Sequence, residues 1–140
     1  MTAKTYRIID HTADMGFEVK GNSKVKVFET AALAFFDIMW ETENRNESTP
    51  ESIEVTGSDT KELMVNFLEE FLYLYDAKGL ICTHIKVEKV SKNRLNAMAW
   101  LRPFAEKQDQ EVLGVKAVTY HQLYIGEKKG RWTARIFLDI

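Results

Sequence analysis

Residues Val115 to Asp139, VKAVTYHQLYIGEKKGRWTARIFLD, decide the class of fold. Two β-rich runs, Val115–Ile125 and Arg131–Asp139, flank the polar turn Glu127-Lys128-Lys129-Gly130. Trp132, Ala134, Ile136 and Leu138 recur at every second position, the period of a strand with one buried face. The segment is therefore expected to fold back on itself as an antiparallel hairpin.

Working upstream, Leu95, Ala97, Ala99 and Leu101 alternate in the same way, and Ser91-Lys92-Asn93 makes a turn after the strand marked by Ile85, Val87 and Val90. The period then changes. Leu63, Phe67, Phe71 and Leu74 fall on one face of a helix, widened by Met64, Leu68, Leu72 and Tyr75. Asp59-Thr60-Lys61-Glu62 resembles a capping box at its start, and Gly79 ends it because glycine tolerates positive φ. A second helical pattern runs from the N-cap Ser23 through Val27, Ala31, Leu33, Ala34, Phe35, Ile38 and Met39, mostly at helical spacing. Tyr6–Ile9, Gly16–Lys20 and the pair Ile53 and Val55 have the spacing of strands. Glu41–Ser52 has no aliphatic residue and is expected to be an exposed connector, with Trp40 exposed beside it. Glu106–Glu111 is a polar excursion. The expected order is β-β-α-β-α-β-β-β-β, class α+β: a single domain over residues 1–140, with two helices packed on a mostly antiparallel β-sheet.

The chain has 140 residues, a length that suits one hydrophobic core. Nineteen Lys and Arg against 21 Asp and Glu leave a net charge of −2, with no basic excess to drive nucleic-acid binding by counterion release. The solitary Cys82 excludes an intramolecular disulfide and any zinc site needing several thiolates. There is no run of about eighteen apolar residues and no apolar leader before the first charges, so a cytoplasmic protein without a membrane span is expected.

Generic catalytic motifs are absent. The seven glycines are scattered, no nucleophile elbow occurs, and Cys82 sits in an apolar strand start as a small hydrophobe. Trp100, Trp132 and the Phe and Tyr set fall on core-like phases and are not read as base-stacking platforms. Carboxylates carry more information. Asp10 and Asp14 flank His11 in a turn-rich segment, and Asp139 precedes Ile140. With Leu138 facing the core, Asp139 points the other way. Bringing Asp14 beside it would gather like charges that need a cation, and oxygen donors suit a hard ion such as Ca²⁺ or Mg²⁺. Asp14 serves equally well as a turn cap. His121 shares strand phase with Ala117, Thr119 and Leu123, which fits a half-buried histidine or a partner of the acidic cluster. Lys116 and Tyr120, on the opposite phase, suit either a solvated face or a phosphate-bearing partner.

Three separated stretches resemble one family. Asp10-His11-Thr12-Ala13-Asp14-Met15-Gly16 is similar to the (D/E)-H-T-A-D-(I/V)-G opening of the archeases, Val115 to His121 to their V-K-A-(V/I)-T-Y-H strand, and Leu138-Asp139-Ile140 to their D-I terminus. The resemblance implies an accessory protein, not an enzyme. Its partner would be the RtcB-type RNA-splicing ligase, which joins 2′,3′-cyclic-phosphate and 5′-hydroxyl RNA ends in tRNA splicing and RNA repair. It would promote GTP-dependent guanylylation of the ligase histidine and multiple turnover, and associate with tRNA only indirectly. It also implies a metal site at Asp14, Asp139 and Ile140 for a divalent cation, Ca²⁺ foremost, with Mg²⁺ or Mn²⁺ as alternatives. Asp10, His11, Lys116 and His121 belong to the motifs as supporting or partner-contact residues. Two other readings stand beside it: a metal-dependent phosphoesterase using Asp10, Asp14 and Asp139 with His11 as base, and an RNA-binding chaperone or modification partner.

Overall fold

The computed structural model describes residues 5–10 and 14–140, with the backbone alone at Asp10. The elements are β1 (Tyr6–Asp10), β2 (Asp14–Gly21), α1 (Lys24–Met39), β3 (Trp40–Thr42), β4 (Thr49–Thr56), α2 (Thr60–Lys78), β5 (Leu80–Val90), β6 (Arg94–Pro103), β7 (Asp109–Glu111), β8 (Ala117–Lys128) and β9 (Arg131–Asp139). The class is α+β, as expected, but the strands form three ladders rather than one sheet: β1-β2-β9-β8, β4-β6-β5 and the small pair β3-β7. Every pairing is antiparallel. The β8–β9 hairpin turns on Lys129 and Gly130, both at positive φ (54° and 78°), the geometry of a two-residue primed turn.

Both helices start where the sequence signals them. Ser23 accepts a hydrogen bond from the backbone N–H of Lys26 at 3.1 Å, and Asp59 accepts one from Glu62 at 2.8 Å. Glu62 reaches back to the N–H of Ser58 rather than to the cap residue itself. At the other end of α2, Gly79 adopts φ 65° and donates to the carbonyls of Leu74 and Tyr75. Helix α1 is buried around most of its circumference because it packs on both β2 and β5, and so spans the two larger sheets. Helix α2 lies against β8, β5 and β4. Between the helices, Phe28, Phe67, Phe71 and Phe36 form a run of aromatic contacts with ring centroids 4.9–6.2 Å apart. Each buried ring contributes about 1.5–3 kcal/mol by burial and its pairings somewhat more. Among the described residues, no helix is long and apolar enough to cross a membrane.

Three expectations are corrected. Trp40 is 4% exposed, because its ring stacks on Phe36 and meets Tyr75 edge-on. The residues read as an exposed connector contain most of β3 and the start of β4, and the polar excursion contains β7. Trp100 lies out of phase with the inward Leu95, Ala97 and Ala99, so it stands on the outer face of its sheet, while Tyr73, Tyr120 and Tyr124 are exposed.

The missed pair β3–β7 is held by charge rather than by apolar alternation. The Arg102 guanidinium meets the Asp109 carboxylate through two bonds of 2.7 Å, with the side chains 6% and 0% exposed. Arg102 also donates to Thr42 Oγ1 and to the carbonyls of Asn44 and Pro103, and the Ala105 N–H donates to Asp109. Thr42 adds its hydroxyl to the same carboxylate. The latch thus ties β6, β7 and the chain after β3 together.

The Arg102 hydrogen bonds hold the Asp109 carboxyl down at about 2, against an ordinary 3.8. A depressed carboxylate pKa stabilises the fold above the unfolded value, and that stability is lost as pH falls toward the folded value. Thermal melting should therefore drop between about pH 4 and pH 2 more steeply in the wild type than in Asp109→Asn, where no carboxylate is left to protonate. At neutral pH, Asp109→Ala leaves a buried guanidinium without its anion and should cost about 3–5 kcal/mol of unfolding free energy. Equal acid slopes in wild type and Asp109→Asn would refute this role for the pair.

Candidate metal centre

Strands β2 and β9 run antiparallel in a continuous register from Gly21–Trp132 to Asp14–Asp139. Met15, Phe17 and Val19 face Leu138, Ile136 and Ala134, and this set turns to the core. Side chains alternate between faces, so the facing pair Asp14 and Asp139 projects on the other side. Directly opposed residues have Cβ atoms about 4.5–5.5 Å apart. The register thus sets two carboxylates side by side. Two unit charges at about 4 Å repel by about 1 kcal/mol in water and about 4 at an intermediate effective dielectric. Among the described residues, neither carboxylate forms an ion pair.

The third strand of this end is β8. Ala117 faces Asp139 across the β8–β9 ladder, and the Lys116 N–H donates to the Asp139 carbonyl at 2.7 Å. Lys116 carries an exposed side chain, and Ile140, 44% exposed, follows directly after Asp139. Asp10 faces Met15 at the end of β1, which sets its backbone one strand away from the pair. His11 lies outside the described residues. Among the described residues, no third His, Cys, Asp or Glu side chain joins the pair into a metal-holding group. The donors present are carboxylate oxygens alone, a chemistry that fits a hard divalent cation completed by water or by further oxygens.

His121 stands elsewhere than its phase predicts. Between Thr119 and Tyr124 the β8–β9 register shifts, so residues 120–123 lie across from Ile136 alone, and Gln122 takes φ 57°. This bulge breaks the alternation on which the half-buried reading rested, and His121 is exposed, its N–H donating to Thr119 Oγ1 at 3.0 Å. Tyr120 is turned toward α2: partial burial raises its phenol pKa, and the carboxylates of Glu62, Asp59 and Glu69 push the same way. Cys82 is buried, and burial pushes its thiol up to about 12, which removes it as a nucleophile.

One supporting residue escaped the sequence reading. Phe137 lies on the same face as the acid pair yet is 3% exposed, and it faces Gly16. A Cβ on Gly16 would come within 2.5 Å of the Phe137 ring. A strand glycine signals such close approach. The ring packs close on Gly16 of β2, and the facing pair Gly16 and Phe137 stands two residues from Asp14 and Asp139. Gly16→Ala should therefore lower stability by about 1–3 kcal/mol. Gly114→Ala, where the added methyl meets only a Glu111 oxygen at 3.7 Å, should stay near neutral. Chemical denaturation of both variants checks the difference, and equal midpoints would refute it.

Comparison with known proteins gives the family and the fold. The pattern of the Archease protein family matches residues 6–140. Protein archease of Methanosarcina barkeri is 32% identical over 98% of this chain and 97% of its own length, and that of Pyrococcus furiosus 36% identical over 94% and 95%. The solution structure of protein 1598 of Methanobacterium thermoautotrophicum superposes with a TM-score of 0.78 at 31% identity, covering 99% of this chain and 100% of that one. A crystal structure of an archease and possible chaperone from Thermotoga maritima, 17% identical over 94% of each chain, shares the fold with a TM-score of 0.65. The family pattern over residues 6–140 and these relatives agree, and the chain belongs to the archease family.

Proposed function

We propose that this chain is an accessory protein that activates an RtcB-type RNA-splicing ligase in tRNA splicing and RNA repair. On this reading it promotes guanylylation of the ligase histidine from GTP and restores multiple turnover. The observation that carries the proposal is the in-register pair Asp14 and Asp139, two carboxylates at one end of the sheet with no ion-pair partner among the described residues. Asp14 and Asp139 would hold a divalent cation, Ca²⁺ foremost, with Ile140 supplying a further oxygen. When bound, that ion supplies positive charge where a triphosphate must be ordered. The chain's own part is positioning. Met15 and Leu138 anchor the backbone from the core side, Gly16 and Phe137 pack together on the face of the acid pair, and the Lys116 N–H fixes the Asp139 carbonyl. A tip held this way presents its charge to the mouth of the ligase site without reordering on docking, which is how fixed dipoles and charges contribute to phosphoryl transfer.

Two measurements test the proposal. Calorimetric titration with Ca²⁺ should show binding by the wild type that Asp139→Asn and Asp14→Asn each weaken at least tenfold while leaving the melting temperature within a few degrees. Ligation of a 2′,3′-cyclic-phosphate RNA by a cognate ligase, with substrate in excess, should be stimulated by the wild type and not by Asp139→Ala. Stimulation by both proteins would remove the acid pair from the role. Failure of the wild type to stimulate a proven active, cognate ligase would overturn the function itself. Turnover of a generic phosphoester by the chain alone would point to a hydrolase.

A further inference from the structure

The outer face of the β4-β6-β5 sheet is open. Its inner face carries Ile53, Val55, Ile85, Val87, Leu95, Ala97 and Ala99 against the helices. On the other side the strands line up in rows: Pro50, Trp100 and His84; Ser52, Met98 and Lys86; Glu54, Asn96 and Lys89. The β4 and β5 members of these rows are exposed, and the three residues of the central strand are half-buried. An antiparallel sheet facing water on one side ordinarily alternates to polar residues there. This one sets a tryptophan and a methionine in the middle of the face. The indole meets the His84 imidazole edge-on, with ring centroids 6.3 Å apart and planes at 89°.

The face carries two exposed lysines although the chain as a whole has a net charge of −2. Lys86 and Lys89 enter no ion pair among the described residues, and Arg94 pairs with Glu54 at 3.4 Å. Glu88 occupies the register shift between Val87 and Lys89. The two lysines flank the Met98 and Asn96 rows, beside the row that holds the two rings. Planar side chains next to unpaired cations fit a polymer with planar groups and regularly spaced anionic links. An acidic peptide would answer the lysines, but a nucleic acid carries a flat ring on every anionic unit.

We propose that this face is a platform for a short single-stranded nucleic acid, with a base stacked at Trp100 and phosphates drawn to Lys86 and Lys89. It is independent of the ligase reading, because Asp14 and Asp139 lie on the other large sheet.

The test is fluorescence anisotropy with a labelled ten-nucleotide uridine RNA over a range of salt, alongside circular dichroism and melting of each protein. The wild type should bind, more weakly as salt rises. Trp100→Ala should weaken binding about 5- to 100-fold, the range of a lost stacking contact. The exposed double variant Lys86→Gln/Lys89→Gln, which keeps the fold even if the tryptophan variant does not, should weaken it too. It should also flatten the slope of log affinity against log salt by about 0.7 per lysine. Absence of wild-type binding at low salt overturns the proposal, as does unchanged binding by the double variant. Equal affinity for a duplex of the same length would mean charge attraction alone and would also overturn it. So would sedimentation showing that the face instead joins two copies of the chain.

Discussion

The register between β2 and β9 governs both the core and the candidate site. A slip of one residue by either strand would turn its own apolar set, Phe17 and Val19 on β2 or Ala134, Ile136 and Leu138 on β9, out to water and its aspartate inward. All five are at most 1% exposed, and each large one contributes about 1.5–3 kcal/mol by burial. Repulsion between the two carboxylates, about 1–4 kcal/mol, is the smaller quantity. Packing therefore wins, and the sheet holds together two like charges that would separate if left to themselves. The site is a by-product of core alternation carried to the last paired residue.

The helices keep that arrangement closed. Strands β5 and β8 are edges of their sheets, and each is met by a glutamate from a helix: Glu29 of α1 accepts the Val87 N–H at 2.9 Å, and Glu69 of α2 the Val118 N–H at 3.1 Å. A bare edge invites pairing with another chain, and these carboxylates occupy donors that would serve it. The second contact falls on β8 one residue from Ala117, which faces Asp139, so α2 braces the strand on which the acid pair leans. Packing and hydrogen bonding thus act on the same few residues.

Sequence periodicity carried most of this architecture. The two helices were legible because caps, apolar faces and the terminal glycine all agreed, and β6 and β9 because their alternation was clean. The acid pair was legible in part: alternation placed Asp139 away from the core and Asp14 stood as a candidate neighbour, but spacing says nothing about which strand lies beside β9. What stayed hidden has physical causes. Strands β3 and β7 are short and polar, held by Arg102 and Asp109, and a buried ion pair leaves no periodic trace. The Tyr120–Leu123 bulge breaks the alternation from which the burial of His121 was inferred. Gly16 carried a signal in its lack of a side chain, but the ring that fills the space stands more than a hundred positions further along the chain.

Strand β9 is interior to the β1-β2-β9-β8 sheet although it comes last in sequence. During synthesis the β1–β2 hairpin leaves the ribosome long before the strand that belongs beside it, and closing so long a loop is slow. Until then Phe17 and Val19 have only α1 to cover them, and Asp14 stands apart from any second carboxylate. With β9 paired to β2 on one side and to its hairpin partner β8 on the other, the core and the acidic pair are complete together. Disrupting the pairing of β9 therefore costs both together, which makes possession of the acidic tip a report that folding has finished.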